Sequence, residues 1–162
     1  MSSLYEDAMG RAKIYSERYH LTLKDQFGGG IQGVVLFTTR STAIKAHVRK
    51  EFYAREKSVY LRLRERSVTQ VEGFAVPSLI AFDDDLWVIE MEVVSPPFVV
   101  DFASAYLDEQ PPYDEEQWEA WREEKREQFE DRWETVESVL AVFRRYGIYL
   151  ADVKPGNIMF DE

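Results

Sequence analysis

The sequence contains no cysteine and only two histidines in 162 residues. Without cysteine, disulfide scaffolds, cysteine-ligated zinc sites and thiol nucleophiles are excluded, and two histidines are too few for a metal cage built from protein side chains alone. The absence of cysteine also fits a reducing compartment, so we expect a cytoplasmic protein.

Positive charge is scarce as well, with 20 lysines and arginines against 30 aspartates and glutamates. Because phosphate groups and anionic lipids require a positive surface, we expect neither a nucleic-acid-binding nor a membrane-binding protein. No apolar run approaches the roughly 18 residues of a membrane span. The N-terminus also lacks the apolar stretch of a signal peptide, so we expect a soluble protein without a secretion signal.

Apolar material, by contrast, is plentiful. The hydrophobic content is 45% and the aromatic content 14%, which suffices for a core in a chain of one domain's length.

The charges are unevenly distributed: the segment 108–137 carries 13 acidic and 4 basic residues, whereas 40–66 carries 9 basic and 3 acidic ones. The acidic segment therefore holds nearly all of the excess negative charge.

The pattern of apolar residues predicts an α+β fold. Helical spacing predicts amphipathic helices over residues 4–19 and 50–66. Runs rich in β-branched residues, separated by polar turns, predict strands. The predicted strands lie at 34–37, 43–48, 75–82 and 86–94, with a final apolar strand after residue 157.

A long helix is predicted for the second part of the chain. Asp114 can cap its start with Gln117 as the capping-box partner, and Gly147 is its natural end. Aromatic and aliphatic residues between them follow three- and four-residue steps, which predicts a helix of about 30 residues, roughly 45 Å long. A continuous helix and a kinked or split one are both compatible with the pattern.

A glycine cluster in the first part satisfies the pattern GxGxxGxV with Gly28, Gly30, Gly33 and Val35. Glycine lets the backbone approach phosphate oxygens and present its N–H groups to them. In a dinucleotide-binding fold a helix begins directly after such a string, whereas a strand is predicted here. The cluster alone leaves open a phosphate-binding turn and a hairpin tip without a ligand.

Two charged residues follow the glycine cluster. Lys45 alternates with Ile44 on the returning strand, so its ammonium can reach phosphate oxygens if that face lines a cleft; a solvated lysine is the alternative. Glu56 lies on the next predicted helix and is by default a surface residue. Only a partner such as Lys45 would give it a role, by orienting the ammonium and keeping it charged.

The most specific string is DxKPxN, formed by Asp152, Lys154, Pro155 and Asn157 in a turn-rich loop. Four fixed residues, each at a frequency of about one in twenty, occur by accident on the order of once per thousand chains of this size. A plain loop between the long helix and the final strand is the alternative.

In order and in context, these pieces resemble the protein-kinase superfamily. The resemblance implies a small lobe with a five-stranded antiparallel sheet and one helix, followed by a long helix and a catalytic-type loop. It implies that the cleft binds ATP and Mg²⁺, with the hinge in the strand 86–94 receiving adenine. The implied nucleotide-binding residues are Gly28, Gly30, Gly33, Val35, Lys45, Glu56, Glu90 and Glu92.

The same resemblance implies roles for the DxKPxN loop. Asp152 would accept or orient the substrate hydroxyl, Lys154 would steady the γ-phosphate, and Asn157 would bind magnesium. Leu150-Ala151 stands where the family usually has His-Arg, so we expect no control through an activation loop. The segments 155–160 and 75–79 are also similar to the aminoglycoside-phosphotransferase branch, and the branch stays open.

The end of the sequence departs from the family most. Asp161 and Glu162 close the chain where a kinase turns towards its metal-binding Asp-Phe-Gly, and we do not expect Asp161 to replace that aspartate. We therefore expect a chain truncated after the catalytic-type loop, with most of the large lobe missing, nucleotide binding retained and catalysis severely weakened.

Three functions stay open on this basis. The favoured one is a pseudokinase or regulatory nucleotide-binding module; the others are a minimal phosphotransferase completed by a partner or a second chain, and an interaction protein with an empty cleft. The expected divisions are a small lobe at 1–94, a linker at 95–113 and a large-lobe remnant at 114–162.

Two further expectations concern the remaining side chains. The tryptophans of the long helix are expected to be buried against another surface. That surface is either a second copy or a protein partner packed on residues 115–146, or the rest of this chain. His20 and His47 have no partner nearby in sequence, so we expect structural or surface roles for both.

Overall fold

The computed structural model describes residues 3–30 and 32–161, so the first two residues, Ile31 of the glycine motif and Glu162 lie outside the described residues. The predicted α+β class is confirmed. The helices are α1 (Ser3–Arg18), α2 (Lys50–Glu65), α3 (Glu115–Phe129) and α4 (Trp133–Arg145), with a short 3-10 turn at Glu130–Arg132. The strands are β1 (Leu23–Gly30), β2 (Gly33–Thr38), β3 (Thr42–His47), β4 (Gln70–Val71), β5 (Phe74–Ala75), β6 (Leu79–Asp83), β7 (Val88–Glu92), β8 (Phe98–Val99), β9 (Tyr106–Leu107), β10 (Ile148–Tyr149) and β11 (Ile158–Met159). Within these ranges, no helix has the length and apolar character needed to cross a membrane.

Five strands form one antiparallel sheet in the order β1-β2-β3-β7-β6. Because successive side chains of a strand point to opposite faces, Ile44 and Ala46 of β3 face one side of the sheet, and Ala43, Lys45 and His47 face the other. Every residue of β3 is buried. Both faces of the sheet are therefore covered at this central strand.

Helix α1 covers the outer face of the sheet, the face of Ile44. Ala8, Ala12 and Tyr15 lie at helical spacing and are fully buried in a cluster with the outward-facing residues of β2 and β3. The small alanine side chains let the helix lie close to the sheet, and the Tyr15 hydroxyl donates a 3.0 Å hydrogen bond to Glu90 Oε1 on β7. The predicted N-terminal helix is confirmed, one residue earlier at each end.

Helix α2 packs on the inner face, where its apolar residues join one core with α4 and the segment after β8. Tyr60 of α2 meets Phe102 edge-on, with ring centroids 5.3 Å apart, and Phe102 lies 5.9 Å from Phe143 of α4. The predicted helix at 50–66 is confirmed. This shared core fixes α2 between the sheet and the second half of the chain.

A small sheet in the order β11-β8-β5-β4 lies beside this core. Strand β8, which the sequence pattern did not predict, pairs antiparallel with β11, with Val99 opposite Ile158 and Phe98 opposite Met159. Ala75 of β5 pairs in parallel with Phe98. The segment after β8 is thereby held next to the loop that precedes β11.

Two predicted elements are interrupted. The single strand predicted at 75–82 is wrong, because Val76-Pro77-Ser78 separates β5 from β6 and proline cannot donate to a sheet ladder. The long helix is split at Glu130, whose φ of 53° lies in the left-handed region. Its predicted start is confirmed: the Gln117 amide donates to Asp114 Oδ1 at 2.7 Å, and the Asp114 amide donates to Gln117 Oε1 at 2.8 Å.

The aromatic stripe of the long helix is partly covered within the chain. Trp133 is buried, whereas Trp118 and Trp121 are half-buried. Adjacent ring centroids lie 5.6 Å apart for Trp118 and Trp121, and 6.0 Å apart for Trp121 and Trp133. Trp133 and Phe129 join the core that contains α2, as expected if the helix folds back on the chain. Packing of residues 115–146 on a second copy or a partner stays a prediction.

Gly147 is required at the junction between α4 and β10. Arg62 of α2 binds both carboxylate oxygens of Asp108, at 3.0 and 2.8 Å, and donates to the Tyr146 carbonyl at 2.7 Å. Gly147 has φ of 77°, and a Cβ there would collide with the Asp108 carboxylate and the Arg62 guanidinium. A side chain at this position would therefore disturb a bond that anchors α2.

Gly147→Ala is expected to lower the free energy of unfolding by about 2–3 kcal/mol, from left-handed backbone strain and the disturbed Arg62–Asp108 pair. Urea unfolding followed by tryptophan fluorescence measures this loss. Gly73→Ala is the matched control, because Gly73 has φ of 84° but open space around its Cβ position. Equal losses in the two variants would show that the collision contributes nothing.

Candidate functional site

A cleft of about 910 Å³ lies between the inner face of the five-stranded sheet, helix α2 and the two loops next to β8 and β11. This volume lies within the range of small-molecule binding pockets, roughly 300–1,000 Å³. Apolar side chains, among them Ala43, Met91 and Phe98, line part of it. The charged groups Lys45 and Asp101 line another part.

Lys45 and Glu56 form a buried ion pair at the inner end of the cleft. Lys45 Nζ lies 2.9 Å from Glu56 Oε1, and the Glu56 side chain is only 1% exposed. Glu56 is therefore not a surface residue, and the pairing that the kinase resemblance implied is present. Burial raises the pKa of Glu56, but the charge of Lys45 and a hydrogen bond from His47 outweigh it and bring the pKa to about 2.

Lys45 stays charged in this environment. Burial lowers the pKa of Lys45, but the nearby carboxylates of Glu56 and Asp101 outweigh that effect, so the net pKa lies above the usual value. An ammonium carries three N–H groups. Two of them are directed to Glu56 at 2.9 Å and to Asp101 at 3.4 Å.

His47, for which a structural or surface role was expected, lies beside the Lys45–Glu56 pair. Its ring is fully buried, with Nε2 2.7 Å from Glu56 Oε1 and Nδ1 3.1 Å from the Trp87 carbonyl oxygen. The signal in the sequence was its position two residues after Lys45, which puts both side chains on the same face of β3. His20, by contrast, is exposed as expected.

Asp101 is a residue for which the sequence predicted no role. Its Oδ1 is 3.4 Å from Lys45 Nζ, and its side chain is 35% exposed and lines the cleft. Its φ of 71° is in the left-handed region, a strained conformation that clusters at functional sites. The next residue, Phe102, is fully buried and donates its amide to Glu56 Oε2 at 3.2 Å.

The sequence signal for Asp101 was the string Val99-Val100-Asp101-Phe102, an apolar strand followed by Asp-Phe. The kinase resemblance implies such a pair after the final strand, whereas this Asp-Phe pair precedes the DxKPxN loop. The pairing of β8 with β11 brings the segment of Asp101 and the DxKPxN loop together, and the Val100 amide donates to the Asn157 carbonyl at 2.9 Å. Asp101 therefore lies beside the DxKPxN loop in the fold.

The DxKPxN residues form a connected group on the same side of the cleft. The Asn157 side-chain amide donates to the backbone carbonyl of Asp152 at 3.0 Å and to its Oδ2 at 3.2 Å. Lys154 Nζ lies 3.8 Å from Asp152 Oδ2. All three residues line the cleft. Asp161, for which no metal role was expected, is exposed and does not belong to this lining.

The glycine cluster forms the hairpin between β1 and β2, with Gly30 opposite Gly33 and Gly28 opposite Val35. Gly30, Gly33 and Val35 line the cleft, whereas Gly28 lies outside the lining. A Cβ on Gly33 would collide with the Ala46 carbonyl of β3, so packing of the sheet requires this glycine. At Gly28 and Gly30 the Cβ position is open space, which leaves bare backbone accessible.

The two glutamates of β7 differ in position. Glu92 lines the cleft together with Met91. The Glu90 side chain instead lies on the outer face, where it accepts hydrogen bonds from Tyr15 at 3.0 Å and Thr42 at 2.7 Å. Strand alternation places the side chains of Met91 and Glu90 on opposite faces. Glu92, which alternation alone would put on the face of Glu90, is the last residue of β7 and belongs to the cleft lining.

The donors near Asp101 fit a magnesium ion that shares its coordination with a nucleotide. Mg²⁺ takes oxygen ligands and is usually held by one or two carboxylates plus substrate phosphates. Asp101 supplies a carboxylate, and the Asn157 amide nitrogen is used on Asp152, which leaves the amide oxygen for a cation. Among the described residues no group of three or more Asp, Glu, His or Cys side chains is arranged to hold a metal alone.

Comparisons with known proteins do not show a family for this chain. No family model and no curated protein matches the chain. Among solved structures, the streptomycin–ATP ternary complex of the aminoglycoside phosphotransferase APH(2″)-IIa aligns with 52% of this chain and 28% of that one, at 13% identity and a TM-score of 0.41. The aligned part is thus less than a third of that enzyme, and a likeness at this level does not show the family of this chain.

Proposed function

We propose that the cleft binds ATP together with Mg²⁺, as the kinase resemblance implies. The observation that carries the proposal is the buried Lys45–Glu56 pair beneath the glycine hairpin, with Asp101 at 3.4 Å from the same ammonium. Removing two charges from water costs several kcal/mol per ion and is rarely justified by stability alone. A charged lysine with one N–H group left over suits a phosphate ligand.

Two further features support a nucleotide over another anion. At Gly30, next to the cleft, the Cβ position is open space, so a phosphate can approach the backbone closely. Ala43, Met91 and Phe98 form an apolar part of the lining, which suits a planar base. A ligand with a phosphate chain and an aromatic base would use both kinds of surface.

A second candidate function is phosphoryl transfer to a hydroxyl group, and Asp101 favours it. The pseudokinase hypothesis depended on the missing Asp-Phe-Gly aspartate and on the absent part of the large lobe. We propose that Asp101, together with Asn157, takes the metal-binding role of that aspartate. Mg²⁺ would there offset the negative charge of the phosphates. Asp152 is 38% exposed and can take the proton of an acceptor hydroxyl. The oxygen of that hydroxyl then receives the γ-phosphoryl group, and ADP leaves.

Lys45→Met is expected to weaken binding of ATP with Mg²⁺ by roughly 10- to 100-fold, because it removes a charge-assisted hydrogen bond in a desolvated cleft. Isothermal titration calorimetry measures the affinity. Lys13→Met, an exposed lysine on α1, is the matched control and should bind ATP as the wild type does. No heat with wild-type protein at millimolar ATP would contradict the proposal for this chain.

A further inference from the structure

His47 has an unusual pair of neighbours for a fully buried ring. Nε2 faces Glu56 Oε1 at 2.7 Å and Nδ1 faces the Trp87 carbonyl oxygen at 3.1 Å. Both partners are hydrogen-bond acceptors when Glu56 is ionised, and the Lys45 ammonium at 2.9 Å favours the ionised carboxylate. A neutral imidazole carries one N–H group and can satisfy only one of the two contacts, whereas an imidazolium satisfies both.

The charges around the ring balance with an imidazolium. Lys45 and His47 are then opposed by the carboxylates of Glu56 and Asp101. Tyr53 of α2 meets the ring edge-on at 5.7 Å, with its hydroxyl bound to Asp84. From α1, Arg11 donates to the backbone carbonyl of His47 at 2.9 Å. An imidazolium gives Lys45, His47, Glu56 and Asp101 two positive and two negative charges, with the Arg11 guanidinium as a further positive charge at the His47 backbone.

We infer that His47 is a positioning residue that carries hydrogen on both ring nitrogens and holds Glu56 between two cations. Glu56 Oε1 accepts from Lys45 and from His47 at once. Because His47 takes part of the carboxylate's charge, Glu56 holds Lys45 less tightly and leaves its ammonium available to phosphate oxygens. This role rests on the proposed function, in which Lys45 binds the nucleotide.

The first measurement uses wild-type protein without nucleotide. Proton–nitrogen correlation spectra of ¹⁵N-labelled histidine rings, recorded at pH 7.5, report which ring nitrogens carry hydrogen, and His20→Gln identifies the two histidines. The expected result is a doubly protonated His47. A neutral His47 with one protonated nitrogen would overturn the inference, and no variant of His47 has to fold for this result.

The second measurement tests the action on Lys45 without ATP. The rate at which acetic anhydride acylates Lys45, read by peptide mapping, is expected to fall about tenfold in His47→Gln, because loss of a neighbouring positive charge makes the ammonium harder to deprotonate. His20→Gln is the matched control. An unchanged Lys45 rate in His47→Gln would overturn the positioning role.

The third measurement links the residue to the ligand. His47→Gln is expected to bind ATP with Mg²⁺ about tenfold more weakly than wild type, with His20→Gln unaffected. Equal affinity in His47→Gln and wild type would overturn the role of His47 in binding. Absence of ATP binding in wild type would instead contradict the proposed function, and the first two measurements would still decide the state and action of His47.

Discussion

Asp101→Asn is expected to remove the Mg²⁺ dependence of ATP binding. The carboxylate of Asp101 and the amide oxygen of Asn157 are the proposed protein ligands of the metal, and loss even of an indirect metal partner costs about 10- to 100-fold in affinity. ATP with Mg²⁺ should therefore bind at least about tenfold more weakly. Any phosphoryl transfer should fall by about 10²- to 10³-fold, the usual loss of one electrostatic group.

Metal-free ATP gives the diagnostic contrast. Asp101→Asn removes a negative charge 3.4 Å from Lys45 Nζ, so ATP without metal should bind the variant as well as wild type or better. Calorimetric titrations with and without Mg²⁺ measure both affinities. Asp161→Asn is the control, because Asp161 is exposed and outside the cleft. Equal weakening with and without metal would indicate a structural role for Asp101 instead.

Glu56→Gln is expected to be the most destabilising single change of this set. It keeps the size of the side chain and one acceptor oxygen but removes the buried negative charge of Glu56, so Lys45 and His47 face a neutral amide. Breaking a buried ion pair in this way costs about 3–5 kcal/mol, a large part of a domain's stability. Urea unfolding measures the loss, and Glu137→Gln, an exposed glutamate on α4, is the control.

The pH dependence of that loss has a defined sign. The pKa of Glu56 is about 2 in the folded protein and has an ordinary value of 4.5, so in this window the unfolded chain binds more protons. The stability from Glu56 is therefore complete above about pH 4.5 and lost as the pH falls towards 2. The difference between wild type and Glu56→Gln should shrink over this range. A difference independent of pH would mean that Glu56 is not ionised in the fold.

Asp101 reaches the DxKPxN loop in the fold although the two are far apart along the chain. The chain passes from β7 through β8 to Asp101 before it enters α3 and α4, and only then reaches the DxKPxN loop. Antiparallel pairing of β8 with β11 needs no particular order along the chain. The same spatial neighbours can thus come from segments about 50 residues apart, with the Val100 amide bound to the Asn157 carbonyl.

Local patterns determined the elements that local forces stabilise. The helices α1 and α2, the hairpin β2–β3 and the capping box of Asp114 with Gln117 follow from periodicity and turn chemistry over a few residues. The candidate site residues Lys45, Asp152 and Asn157 were found for the same reason, since their motifs are short and contiguous. The break at Glu130 was left open because no proline or glycine marks it.

The tertiary structure alone decided which charged groups meet. Lys45, His47, Glu56 and Asp101 lie on a strand, a helix and a loop, and they are brought together by sheet pairing and by the core of Tyr60, Phe102 and Phe143. Such contacts depend on burial and pairing between distant segments, which leave no periodic signal in the sequence. By itself the sequence determined an α+β chain with a kinase-like set of motifs. Only the tertiary structure brings His47 and Asp101, which lie outside those motifs, next to Lys45 and Glu56. The physical reason is that packing of distant segments determines which charged side chains are withdrawn from water together.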